Sequence, residues 1–161
     1  MREINICGHG VAHLETDGRM MYHGNKIVKY DAPGENAGGE AILIFVTADR
    51  CREQLEALTR CLVSAFPGST VYQHTDLCRV PHDVLHNRVD AVFLEAEPDR
   101  ADGLELVQGL HRQKKDLPVF IISHTEALRS EAARAGAADY LVRPVTGQQL
   151  RQALAGMKEH T

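Results

Sequence analysis

From residue 41 onward the chain alternates, five times over, between a short apolar run and a segment with helical spacing. The strand-like runs are 41–46 (AILIFV), 69–73, 89–94, 118–123 (PVFIIS) and 138–142, of which 69–73 is the least apolar. The central one is too continuous for a strand with one wet face and reads as a strand covered on both sides of a parallel sheet. The intervening segments are amphipathic. Residues 50–66 put Leu55, Leu58, Leu62, Ala65 and Phe66 on one face, and Pro67-Gly68 stops the pattern. Residues 77–87 are a weaker helix containing Pro81, and 103–115 turn Leu104, Val107 and Leu110 inward. The alanine-rich stretch 126–135 ends at Gly136, a residue suited to a helix C-terminus. Thr146 with Gln149 fits a capping box for the last helix, whose buried stripe is Leu150, Leu154 and Met157. Short connections between such units imply right-handed crossovers. The predicted fold is therefore α/β: a flavodoxin-like (βα)5 doubly wound parallel sheet, order 2-1-3-4-5.

The first forty residues have a different texture. Segments 3–7, 11–15, 20–23 and 26–30 are β-like, separated by Gly8-His9-Gly10, Asp17-Gly18 and Gly24-Asn25. These turn residues supply positive φ. A small β-ribbon is predicted, too slight to stand alone, which packs on the main domain or on a second copy. Residues 31–40 (DAPGENAGGE) compose a flexible linker. Two units follow: a β-rich N-terminal extension and linker, 1–40, and the α/β domain, 41–161.

The formal charge of −4 offers no basic surplus for gripping nucleic-acid phosphates. No apolar run approaches the ~20 residues of a membrane span, and no secretory signal is visible. The four cysteines form no CxxC pair. A cytoplasmic protein with reduced thiols is expected, with Cys51 and Cys61 as small core or flank residues. His74, His82 and His111 read as surface residues.

The central run ends in an acidic tip, Glu95-Ala96-Glu97-Pro98-Asp99, and Asp102-Gly103 open the next helix. Sheets of this kind place their sites at the carboxyl ends of the strands. Residues 135–144, AGAADYLVRP, are close to the pattern AGAxDYLxKP of the receiver domain of bacterial response regulators. The spacing from Glu95 to Asp102-Gly103 also matches, as does a fourth strand ending in Ser123. Over essentially all of 41–158 the chain resembles that CheY-like receiver family.

The resemblance implies a set of positions. In a working receiver, two acidic residues after the first strand and an acceptor aspartate hold Mg²⁺, and the aspartate attacks the phosphoryl donor. A lysine and a Thr or Ser then bind the phosphoryl oxygens. Here the acidic pair falls on Val46 and Thr47, the acceptor on Glu95 and the lysine on Arg143; Ser123 is retained, followed by His124. Tyr140 holds the family's switch-aromatic position, and Arg143-Pro144 matches a peptide bond that is usually cis. Glu95 carries its oxygens one methylene further out than aspartate, which spoils attack geometry. The expectation is a degenerate pseudo-receiver: no catalytic residues, no enzyme activity, no cofactor, and signalling through protein contacts. Glu95 has two readings, a phospho-aspartate mimic aimed at Ser123 and Arg143, or a fixed bidentate pair with Arg143; the fixed pair is favoured. Asp49, Glu97 and Asp99 read as solvated loop carboxylates, with a vestigial metal site as the lesser alternative.

The implied partner is another signalling protein or a second copy. The fourth helix, fifth strand and fifth helix would present Arg129, Arg134, Asp139 and Arg151 to a symmetric homodimer. Two further readings compete. A small enzyme or nucleotide binder would use the same sheet, although no glycine-rich phosphate loop follows the first strand. A metal-sensing ribbon would use Cys7, His9, His13 and His23, whose residue types suit zinc but whose spacing matches no standard finger.

Overall fold

The computed structural model describes residues 43–158 and the backbone of four short strands before them, at 2–5, 11–14, 20–22 and 26–29. Those strands are β1 (Arg2–Asn5), β2 (Val11–Leu14), β3 (Met20–Tyr22) and β4 (Lys26–Lys29). Then come β5 (Ile44–Ala48), α1 (Arg52–Ala65), β6 (Thr70–His74), α2 (Val80–His86), β7 (Ala91–Glu95), α3 (Asp102–Gln113), β8 (Val119–Ser123), α4 (Arg129–Ala135), β9 (Asp139–Val142) and α5 (Gly147–Lys158). A single 3-10 turn, Leu77–Arg79, leads into α2, and Pro81 sits in that helix's first turn, where its missing N–H costs nothing.

The five parallel strands run β6-β5-β7-β8-β9, the 2-1-3-4-5 order expected. The N-terminal segments continue this same sheet. β1 to β4 form an antiparallel meander, and β4 pairs antiparallel with β6 through Lys26–Gln73, Ile27–Tyr72, Val28–Val71 and Lys29–Thr70. The extension thus meets the domain edge-on, through backbone hydrogen bonds. Cys7, His9 and His23 lie outside the described residues, as does the linker, and of His13 only its backbone place in β2 is described.

Strand alternation splits the core into two layers. Val46, Ala48, Val92, Leu94 and Ile121 face α2, α3 and α4, against Val80, Val84, Val107, Leu110 and Ala132. Phe45, Phe93, Phe120 and Ile122 face α1 and α5, against Leu58, Leu62 and Leu150. Phe93 stacks on Phe120 with ring centroids 5.0 Å apart and meets Phe45 edge-on at 6.0 Å. At these separations aromatic pairs gain about 0.5–1.5 kcal/mol beyond their burial.

The predicted helix ends hold. Gly136 closes α4 at φ 105°, a left-handed conformation that glycine adopts without strain. Thr146 and Gln149 form the capping box: the Thr146 N–H donates to Gln149 Oε1 (2.9 Å) and the Gln149 N–H to Thr146 Oγ1 (3.2 Å). The Arg143-Pro144 bond is cis. His82 and His111 are exposed, but His74 corrects the sequence reading. β6 extends one residue further than its apolar run and turns His74 towards α2, where Nε2 pairs with the Asp83 carboxylate and the ring is buried. This pair ties β6 to the helix above it.

Candidate functional site

The carboxyl ends of β5, β7, β8 and β9 surround one cleft. Each side chain arrives there by strand geometry. β5 runs on to Ala48, so Val46 and Thr47 both lie inside the strand. Val46 is core, and the Thr47 hydroxyl donates to the Tyr72 carbonyl at 3.3 Å. The residue that enters the cleft from β5 is Asp49, only 1% exposed. Its Oδ1 accepts the Cys51 N–H at 2.8 Å, and its Oδ2 pairs closely with Arg143 Nη2.

This overturns the expected pairing of Arg143 with Glu95. Arg143 follows β9 directly and reaches across to Asp49, whose carboxylate stands just past the carboxyl end of β5. Glu95, the last residue of β7, is 4% exposed and turns towards the start of α1. Its Oε1 accepts the Arg50 N–H at 3.4 Å and lies 4.0 Å from Arg50 Nη1. Arg50 is pulled outward as well, pairing with the exposed Asp102. Ser123 is likewise engaged elsewhere than foreseen, donating to Glu97 Oε2 at 3.0 Å. The Glu97 side chain, 14% exposed, belongs to the cleft rather than to solvent, whereas Asp99 is exposed.

Burial pushes the Glu95 carboxyl above its ordinary value, and the neighbouring Asp49 adds to the rise by charge repulsion and by a hydrogen bond that favours the protonated form. Folded Glu95 thus holds its proton to a higher pH than unfolded Glu95. Its ionisation withdraws stability as the pH rises past the unfolded value and through the folded one. Glu95→Gln, which imitates the protonated acid, should raise the melting temperature at pH 7. The gain should shrink as the pH falls into the carboxylate range. Thermal melts of both proteins from pH 4 to 8 check this.

At β9, Tyr140 is 4% exposed and its hydroxyl donates to the Thr125 carbonyl at 2.5 Å. Arg129 of α4 lies over the Tyr140 ring, 5.0 Å from its centroid. Cys51 precedes α1 at an exposed position, and Cys61 is half-buried with Sγ donating to the Val145 carbonyl at 3.5 Å. No glycine occurs in the turn between β5 and α1. Among the described residues no helix is long and apolar enough to cross a membrane. None of their His, Cys, Asp and Glu side chains gather into a metal-holding group of three.

A doubly wound sheet with ionisable side chains gathered at the carboxyl ends of its strands is an architecture shared by proteins of many functions. The family model "Response regulator receiver domain" matches residues 45–155, and the chain belongs to that family. Response regulator MprA of Mycobacterium sp. (strain KMS) is 30% identical over 119 residues, covering 73% of this chain and 51% of that protein. MprA of Mycobacterium leprae is 29% identical over the same length. The chain therefore spans about half the length of the curated relatives it matches. In structure it resembles the signal receiver domain of an HD domain-containing protein from Pseudomonas fluorescens Pf-5, with TM-score 0.65 and 22% identity over 74% of this chain and 97% of that one. It also resembles a receiver domain protein from Clostridium thermocellum, with TM-score 0.64 and 19% identity over 74% and 96% of the two chains.

The strongest sequence signals placed Glu95, Ser123, Arg143 and Tyr140 around one cleft or its flank. Asp49 and Glu97 were assigned to solvent. One signal bore on Asp49: a carboxylate three residues past a buried apolar run lies near that strand's carboxyl end.

Proposed function

We propose that this chain is an atypical, non-phosphorylatable receiver that signals by protein contact in a two-component-type pathway, without enzymatic turnover. The carrying observation is the Arg143–Asp49 pair. Mg²⁺ needs several free hard oxygens in near-octahedral array. Both Asp49 oxygens already accept hydrogen bonds, one of them from a guanidinium. Arg50 adds a second fixed cation beside Glu95. With two side-chain cations at the carboxylates, this donor set does not fit a divalent ion. Glu95, held towards Arg50, offers a poorly placed nucleophile.

The favoured partner is a second copy, meeting through α4, β9 and α5. Arg129, Arg134, Asp139 and Arg151 are all exposed there and carry both signs of charge, as a self-complementary patch requires. A solved relative in fold, 16% identical with TM-score 0.62, is described as a beryllofluoride-activated NtrC4 receiver domain dimer.

Incubation with acetyl phosphate and Mg²⁺ tests the reading, followed by intact-mass measurement and by light scattering for the solution mass. The expected result is no added phosphoryl mass and a two-copy particle with or without the phosphodonor. A magnesium-dependent phosphoryl adduct on the chain overturns it.

A further inference from the structure

At the end of β8 two donors from adjacent residues converge on one point, the Ser123 hydroxyl and the His124 backbone N–H. The Glu97 carboxylate fills that point. Oε2 accepts from Ser123 at 3.0 Å and Oε1 from the His124 N–H at 2.9 Å. The His124 ring closes over it, Nδ1 lying 3.3 Å from Oε1. Ser123 is fully buried, and Glu97 is partly buried, its side chain 14% exposed. The backbone fixes this placement. Glu97 and Arg100 exchange hydrogen bonds in both directions, N to O at 3.1 Å and 2.9 Å, pinching 97–100 into a tight turn beside β8. Arg143 Nη1 reaches His124 Nδ1 at 3.4 Å, so the Arg143 side chain that neutralises Asp49 also borders the seat.

A hydroxyl and an N–H aimed at one point are a seat for an oxyanion, and charge-assisted bonds of this kind are about twice as strong as neutral ones. The seat is linked onward. Ser123 Oγ also accepts the Thr125 N–H at 3.3 Å, the Thr125 carbonyl receives the Tyr140 hydroxyl at 2.5 Å, and Arg129 Nη1 donates to the Tyr140 carbonyl at 3.3 Å. An unbroken set of contacts therefore runs from Glu97 to the exposed α4–β9 face.

We propose that Glu97 is the resident anion of this seat, a ligand supplied by the chain itself. It excludes phosphate-like oxyanions from Ser123 and His124 and holds Thr125 and Tyr140 in one setting. The inference rests on the contact-signalling reading and adds what keeps the contact face set without a phosphoryl group. In the cleft, Arg143 stands as the cation on Asp49 and Glu97 as the anion on β8, so both charges come from the chain.

The test uses the ¹⁵N-labelled full chain in phosphate-free buffer, with Glu97→Ala and Glu97→Gln. In Glu97→Ala the His124 amide should exchange with solvent about tenfold faster or more, as expected for loss of a charged acceptor. Thr125 and Tyr140 amide signals should shift while β5 and α5 signals stay in place. Added inorganic phosphate should then slow His124 exchange again and move Thr125 and Tyr140 back, with no response in the unsubstituted chain. Glu97→Gln keeps one acceptor oxygen and the side-chain volume, so His124 exchange should rise less, about threefold. It supplies the readout if the alanine variant folds poorly. Unchanged His124 exchange in both variants overturns the proposal. So does a phosphate response in the unsubstituted chain equal to that of the alanine variant. These readouts involve no covalent phosphate, so failure here is distinguishable from failure of the phosphorylation test.

Discussion

Arg143→Ala should lower the stability of the domain by about 2–4 kcal/mol, the loss expected when one member of a buried ion pair is removed. The Arg143 and Asp49 side chains are 12% and 1% exposed, so water cannot take over the guanidinium's role. Asp49 would keep the Cys51 N–H and its hydrogen bond with the Glu95 carboxyl but lose its cation, which pushes the Glu95 carboxyl further above its ordinary range. In urea the midpoint should fall with an unchanged slope, and the melting temperature should drop by roughly 5–15 °C. Arg143→Ala combined with Asp49→Asn should recover most of the loss, because the stranded charge is gone. If the single substitution changes stability by less than about 0.5 kcal/mol, the pair is no more than a surface contact.

Gly103→Ala should be comparably harmful, against the usual direction of such a change. Within a helix, alanine is normally better than glycine by about 1 kcal/mol. At Gly103 a Cβ would lie 2.3 Å from the Glu95 carbonyl oxygen, which is backbone and cannot swing aside. Helix α3 would have to lift off β7, and overpacking of that kind costs about 1–3 kcal/mol or more. Gly109 in the same helix supplies the internal control. Nothing lies within 4 Å of its Cβ position, and Gly109→Ala should stabilise by up to about 1 kcal/mol. Denaturant midpoints of the two variants should therefore move in opposite directions. Amides of Ala96 and Glu97, at the end of β7, should shift only in the Gly103 variant.

The alternation from residue 41 onward was enough for the five parallel strands, their order and the five helices, because buried strands and amphipathic helices differ in period and length. Glycine and capping chemistry placed two helix ends at Gly136 and Thr146. The meander's location was not legible: period-two patterning marks 26–29 as a strand but carries no information about which edge it joins. The site was legible as positions and not as partners. Glu95, Ser123 and Arg143 were placed by motif, yet an arginine side chain spans several ångströms, and spacing cannot say which of two nearby carboxylates it meets. Asp49 was misjudged because β5 runs two residues beyond the apolar run, which carries the carboxylate from an apparent loop into the cleft. His74 was misjudged for the same reason on β6.

The antiparallel ladder between β4 and β6 has a consequence for the integrity of the sheet. With β4 seated, the outward-facing amides and carbonyls of β6 are occupied. If β4 peeled away, those groups would be bare along a strand whose side chains are mostly buried, including Val71, Gln73 and His74. Such a margin is adhesive towards any extended peptide. The meander thus serves as a selvedge, and proteolytic trimming ahead of residue 43 would leave the parallel strands open to strand exchange and aggregation.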